Sequence, residues 1–435
     1  MSDAVPSPAD TTPPPAAPLR SPVQLAGARR RSTATLVTGV ALGSTGHIAA
    51  ITVATIAAKD LLGSGLLAGA PGATVVLGAA LGAIVLSAIM ARRGRRPGLT
   101  LGYGIGVIGA VVATAAVLTR SFPLLLLGTL LIGFGNSSNQ LSRYANADMA
   151  PLAKRASAIS LVVWASTVGS VVGPQLVPVS AAMAEQAGLP PLAGPYLVPV
   201  LFVGIAAVLS FLLLRPDPYE LAENDTLPGA HDPAPAASLS AILRRPSVSA
   251  AIVALVFGQF VMVLIMTMTP LHMIEHGSDL GAVGIVLSAH TAGMFAFSPV
   301  SGRLTDRFGP VPVIYLGTAI LAVSSVMAAI APPDGGPMLL LALFLLGLGW
   351  NFGFVAGSSL LAGSLEIHER TRIQGLADAM IWSSAAGASL GSGVVMVVVG
   401  YTALGVLGAL AVLVPVVVLV AHRREMRRRP AEATA

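Results

Sequence analysis

The chain contains no cysteine. Disulfides and thiolate metal centres are therefore excluded, and any metal must be held by histidine, methionine or oxygen. Charge is also scarce: Asp, Glu, Lys and Arg make up 10 % of 435 residues, and aromatic residues 5 %. A soluble globular domain carries about 25 % charged residues, so an ordinary soluble fold is excluded. Walker loops, paired carboxylates and nucleophile constellations are missing too, which argues against an ATPase or any other enzyme, and no cofactor is implied. What fills the chain is 54 % hydrophobic residues, with a mean hydropathy of +0.82. Most of it must lie in lipid.

The apolar residues fall into twelve runs, each long enough for about 30 Å of hydrocarbon. Their limits are 34–58, 66–90, 98–118, 121–145, 156–177, 195–214, 247–271, 280–301, 311–331, 338–362, 374–399 and 402–421. Residues 1–33, rich in proline and ending in Arg29, Arg30 and Arg31, read as a disordered tail. Residues 215–246 read as a polar, mostly unstructured linker with His231 exposed, and 422–435 as a basic tail. With both termini cytoplasmic, every one of the 25 Lys and Arg except Lys59 and Arg120 falls on the cytoplasmic side. This bias sets orientation. It places the chain in the cell (inner) membrane and makes the net charge of +6 a topology signal rather than a nucleic-acid footprint.

The halves repeat. LLIGFGNSSN at 130–139 returns as FLLGLGWNFG at 344–353, and Trp164, Gly169 and Gly173 return as Trp382, Gly387 and Gly391. Arg92-x-Gly94 returns as Arg307-x-Gly309. Offsets near 215 residues in a constant order predict an all-α membrane protein of twelve transmembrane helices in two pseudo-symmetric six-helix bundles, 34–214 and 247–421, around a midplane site.

Soft ligands cluster in the second half. Met262 and Met266 stand four apart on span seven, and His290 and Met294 four apart on span eight. An i,i+4 pair shares a helix face, and thioethers with imidazole suit copper better than a hard cation. A methionine pair can equally be apolar packing, but an imidazole at mid-membrane needs a partner or a cavity. His47 in span one is expected to face Met262 across that cavity and complete the set. Met268, His272, Met273 and His276 would collect ions at the outer mouth, and Asn136, Asn139, Gln259 and Asn351 would line the path. Asp378 in span eleven is a carboxylate for helix-end stabilisation or proton coupling.

Gly302-x3-Asp306-Arg307-x-Gly309 resembles the signature loop of the major facilitator superfamily, which implies a two-halved carrier latched through that loop. The first copy keeps Arg92 and Gly94 but has Ser87 and Ala91 where Gly and Asp are usual. Gly169-x3-Gly173-Pro174 resembles the motif of drug and proton antiporters, although small-x3-small spacing also serves plain helix packing. Thr129 stands where many such exporters carry an arginine. The Met-x3-Met and His-x3-Met pairs resemble those of the CcoA-type copper importers. That resemblance implies copper as the transported substrate, held by Met262, Met266, His290 and Met294; the carrier is expected to be a monomer. A proton-coupled exporter is the alternative.

Overall fold

In the computed structural model the described residues are 22–63, 67, 69–223, 238–332 and 336–421. Their first half contains α1 (Pro22–Leu62), α2 (Ala70–Arg93), α3 (Arg95–Leu118), α4 (Phe122–Asp148), α5 (Arg155–Gln186) and α6 (Gly194–Leu213). Two short helices, α7 (Pro218–Glu223) and α8 (Leu239–Leu243), lie in the connector. The second half contains α9 (Pro246–Met266), α10 (Thr269–Glu275), α11 (Leu280–Phe295), α12 (Ser298–Phe308), α13 (Pro310–Ile330), α14 (Pro337–Gly363), α15 (Ile367–Val398) and α16 (Tyr401–Ala411), the last span continuing to Ala421.

Eleven of these stretches are long and apolar enough to cross a membrane. The twelfth crossing is α4, whose second half carries Asn136, Asn139, Gln140, Arg143, Asn146 and Asp148 and so dilutes its hydropathy. It runs antiparallel to α3 along its whole length. A Cβ on Gly128 would strike Ala113, one on Gly109 would strike Ile132, and one on Gly102 would strike Ser138. The polar half of α4 is buried by protein rather than lipid, which makes it tolerable there.

The expected tail and linker need correction at their edges. Helix α1 starts at Pro22, because Arg29 donates to the Leu221 carbonyl at 3.0 Å and Arg31 to the Arg215 carbonyl. Residues 1–21 and 422–435 lie outside the described residues, as do 224–237 with His231.

Two close crossings join the halves at the Arg-rich face. Gly375 of α15 lies against Ser87 of α2, and Gly302 of α12 against Ser160 of α5, so tightly that a Cβ on either glycine would collide with the serine. The crossings are equivalent under the repeat, with Gly and Ser exchanged. Small residues let backbones approach where no hydrophobic force drives helices together.

Candidate functional site: a central cavity and its clasp

Between the halves lies a cavity with an empty volume of about 880 Å³, counting the space open to solvent. Its first-half wall carries His47, Asn136, Asn139 and Gln140. Tyr103 donates to Asn139 Oδ1 at 3.0 Å, and Asn139 Nδ2 donates to Asn136 Oδ1 at 2.8 Å. This chain fixes both amides, and Gly43 leaves room for it, since a Cβ there would overlap the Asn139 side chain. His47 lines the cavity and a smaller adjoining pocket with Tyr103, and its Nδ1 is buried without a partner.

The second-half wall is aromatic. Trp350 and Phe354, four apart on α14, stack at 4.5 Å and 18°, and Phe295 meets Trp350 edge-on at 6.0 Å. The indole N–H is spent on Gln259 Oε1 at 2.8 Å, which fixes the ring. The stack continues onto Arg143, whose guanidinium lies 4.4 Å from the Phe354 centroid and 4.3 Å from that of Tyr144.

Arg143 and Asp378 form the cavity floor. Arg143 Nη2 donates to Asp378 Oδ1 at 2.5 Å, with both side chains 2 % exposed. Arg143 Nε also donates to Ser358 Oγ of α14 at 3.3 Å, across the halves. Below them, Arg95 is fully buried and donates to Asp148 and to Gln374 Oε1, each at 2.6 Å, while Arg370 reaches Asp148 at 3.5 Å. Arg155 donates to the Ala362 carbonyl at 3.2 Å. These contacts close the cavity toward the Arg-rich face.

The signature loop joins the same clasp. Asp306 accepts from the Ala156 and Ser157 backbone N–H groups at 3.0 and 3.1 Å, across the halves, at the open N-terminus of α5. In the first copy Ala91 stands in place of the acid, and the part of α15 that meets α2 around Gly375 lies well inside its helix, where backbone N–H groups need no outside acceptor. Both R-x-G turns keep their glycine because φ is +89° at Gly94 and +84° at Gly309. Asp217 of the connector caps the start of α3 through Arg95 N and Arg96 N at 3.0 and 2.8 Å.

The expected soft-ligand set is divided. Met262, Met294 and His47 line the cavity, but Met266 and His290 are not among its lining residues. His290, 1 % exposed, has Nδ1 2.9 Å from the Leu343 carbonyl of α14, and its Nε2 is buried unpartnered. Gly347 admits the α11 backbone so closely that the imidazole is turned into the α11–α14 seam. At the outer end Met273 is fully buried and His272 stacks on Tyr401 at 4.1 Å with His276 at 4.4 Å; neither these nor Met268 line the central cavity. Asn351 also lies off the cavity, donating to the Met294 carbonyl and to Ser298 Oγ, each at 2.6 Å, at the break between α11 and α12. Gly169 and Gly173 pack against Ser44, Thr45 and Ile48 of α1 beside Pro174, whereas Gly387 and Gly391 face open space.

Arg143, Arg95, Asp148 and Gln374 were missing from the sequence-derived site. Arg143 reads as a topology anchor, yet it is buried. The available signal was that Asp378 is the only carboxylate deep within a span and needs a cation at similar depth. Asp378 stands well past the start of α15 at Ile367, so a helix-terminal role does not apply.

The model of the Major Facilitator Superfamily matches residues 34–282 and 264–435. The chain is 39 % identical over 383 residues to the uncharacterized MFS-type transporter YdeG of Bacillus subtilis (strain 168), covering 86 % of this chain and 88 % of that one. It is 30 % identical over 414 residues to the riboflavin transporter RfnT of Brucella anthropi, covering 94 % and 99 %. The human organic anion transporter MFSD10 has the same fold, with a TM-score of 0.71 at 16 % identity over 90 % of this chain and 99 % of that one. The resemblance to copper importers finds no support in these relatives. With its whole transmembrane part matched and its two clasped bundles in place, the chain belongs to the Major Facilitator Superfamily of multi-pass membrane transporters.

Proposed function

We propose that the protein is a secondary carrier for a planar organic solute with polar edges, bound between the aromatic and amide walls of the central cavity. The observation that carries this reading is the pairing of those walls: Trp350 and Phe354 offer a fixed ring stack, while Asn136, Asn139 and Gln140 stand on the other half. Its one ion pair is self-neutralising, which favours a solute without net charge. The relative that transports riboflavin, a planar heteroaromatic with hydrogen-bonding edges, supports the same class. The positive bias of its loops supports a cytoplasmic position for the Arg-rich face.

Copper import has thinner support. Only Met262, Met294 and His47 of the expected ligands share the cavity wall. Proton-coupled export fits the same cavity, but Gly169 and Gly173 serve packing on α1.

Riboflavin is the probe for the test. Titrated into protein in lipid nanodiscs, it should quench the tryptophan emission saturably, because Trp350 and Trp382 line the cavity, and Trp350→Leu should weaken binding about tenfold or more. Labelled uptake into proteoliposomes then gives direction. Copper accumulation in the same vesicles, lost in Met262→Leu and unaffected by riboflavin, would replace this reading with the metal one.

A further inference from the structure

The first turn of α3 carries a cation that the clasp does not pair. Arg95 and Arg96 stand side by side there, at the positive end of the helix dipole. Arg95 is bound to Asp148. Arg96 has no such partner, and the second copy of the repeat does without both: aligned on Gly94 and Gly309, Pro310 and Val311 occupy the two places.

Arg96 instead lines a pocket on the Arg-rich face, together with Arg92 and Arg93 at the end of α2 and Arg215 just beyond α6. The pocket has an empty volume of about 840 Å³, counting the space open to solvent. Among the described residues none of these four guanidiniums has a carboxylate within ion-pair distance. Asp217 and Glu220 also line the pocket. Asp217 is spent on backbone, accepting from the Arg95, Arg96 and Tyr219 N–H groups at 3.0, 2.8 and 2.8 Å. Positive charge is left in excess in a concave site.

The ring of Phe211 fixes the position of that charge. Arg96 Cζ lies 5.2 Å and Arg215 Cζ 5.6 Å from its centroid, so two cations from different helices share one aromatic partner. Like charges held this way repel, and an anion between them relieves the repulsion. Orientation in the membrane needs basic residues on this face, but it does not need them gathered on one ring. Phe211 is 48 % exposed on an apolar helix, and Val208, Ile205 and Leu201 are exposed behind it at spacings of three and four residues. From Phe211 to Leu201 the strip runs about 15 Å along the helix, half the hydrocarbon thickness of a bilayer.

We propose that this pocket binds the headgroup phosphate of an anionic phospholipid from the leaflet on the Arg-rich side. Arg96 and Arg215 hold the phosphate, and an acyl chain lies along the exposed strip of α6. Basic residues at the membrane edge attract anionic lipids in general. Planar guanidinium forks match phosphate oxygens, and here they are stacked in place at the head of an apolar strip one leaflet long. A free phosphate would satisfy the arginines and leave the strip unused.

The site lies apart from the central cavity, so its test is independent of the solute. The full chain, delipidated in an uncharged detergent, is titrated with phosphatidylglycerol and the adducts are followed by native mass spectrometry. Phosphatidylcholine with the same acyl chains and inorganic phosphate serve as comparisons. Phosphatidylglycerol should bind as a single adduct that equimolar inorganic phosphate does not displace, and phosphatidylcholine, without net charge, should bind about tenfold more weakly. Arg96→Gln/Arg215→Gln should weaken phosphatidylglycerol binding about thirtyfold, at the usual worth of two arginines near an anionic surface. Arg303→Gln/Arg372→Gln removes equal charge from exposed positions on the second half and should leave binding unchanged. Unaltered affinity in the first double variant, an equal loss in the second, or equal binding of phosphatidylcholine overturns the proposal. Displacement by inorganic phosphate also overturns it and marks a free-phosphate site instead. If the first double variant fails to fold, Arg215→Gln, at an exposed position, decides alone: a loss of about fivefold supports the site and no loss overturns it.

Discussion

Replacing Asp306 with asparagine isolates the signature loop from the rest of the clasp. The carboxylate accepts two backbone N–H groups of α5 across the halves, at 3.0 and 3.1 Å. A charge-assisted bond contributes about 1.5–3 kcal/mol against about 1 for a neutral one, and the helix dipole adds about 0.3–1. Asparagine keeps one neutral acceptor and loses the second bond and the charge. The closed face should therefore lose about 2 kcal/mol, a roughly 30-fold rise in the open population. Ser160→Cys serves as reporter, since Ser160 is 2 % exposed and sealed against Gly302. Maleimide labelling in native membranes should proceed about 30-fold faster in the double variant Ser160→Cys/Asp306→Asn than in Ser160→Cys alone. Equal rates would show that the signature aspartate does not hold the halves together, and the reasoning would fall.

Gly375→Leu, which drives a side chain into Ser87, should prevent tight closure and raise the reactivity of cysteines placed at the same face. Gly309→Ala, at φ +84° and ψ +163°, should lower stability by about 1–3 kcal/mol, visible as a reduced unfolding temperature. Asn351→Ala strands the Met294 carbonyl and Ser298 beside the α11–α12 break; a loss of about 2–4 kcal/mol should appear in thermal unfolding, with solute affinity changed less than in Trp350→Leu. His290→Leu should leave transport intact, because its imidazole serves the α11–α14 seam; a loss of transport equal to that of His47→Leu would return His290 to the site.

Hydropathy, charge asymmetry and internal repetition are properties of the chain read in one dimension, and they determined the crossings, the two halves and the R-x-G turns. Lipid imposes length and apolarity on each run, and lysine and arginine resist translocation, so both leave marks in linear order. The rotation of each helix about its own axis leaves no such mark. The pairs Met262/Met266 and His290/Met294 each sit at helical spacing, yet packing through Gly347 turned His290 away from the cavity that Met294 lines. The ion pair was equally hidden: Arg143 reads as one more basic residue at the end of a span, and only the meeting of α4 with α15 across 235 residues of sequence makes it the partner of Asp378. Tertiary structure decided these points because burial of a charge is settled by which neighbour supplies its counter-charge, and that neighbour comes from the other half of the molecule.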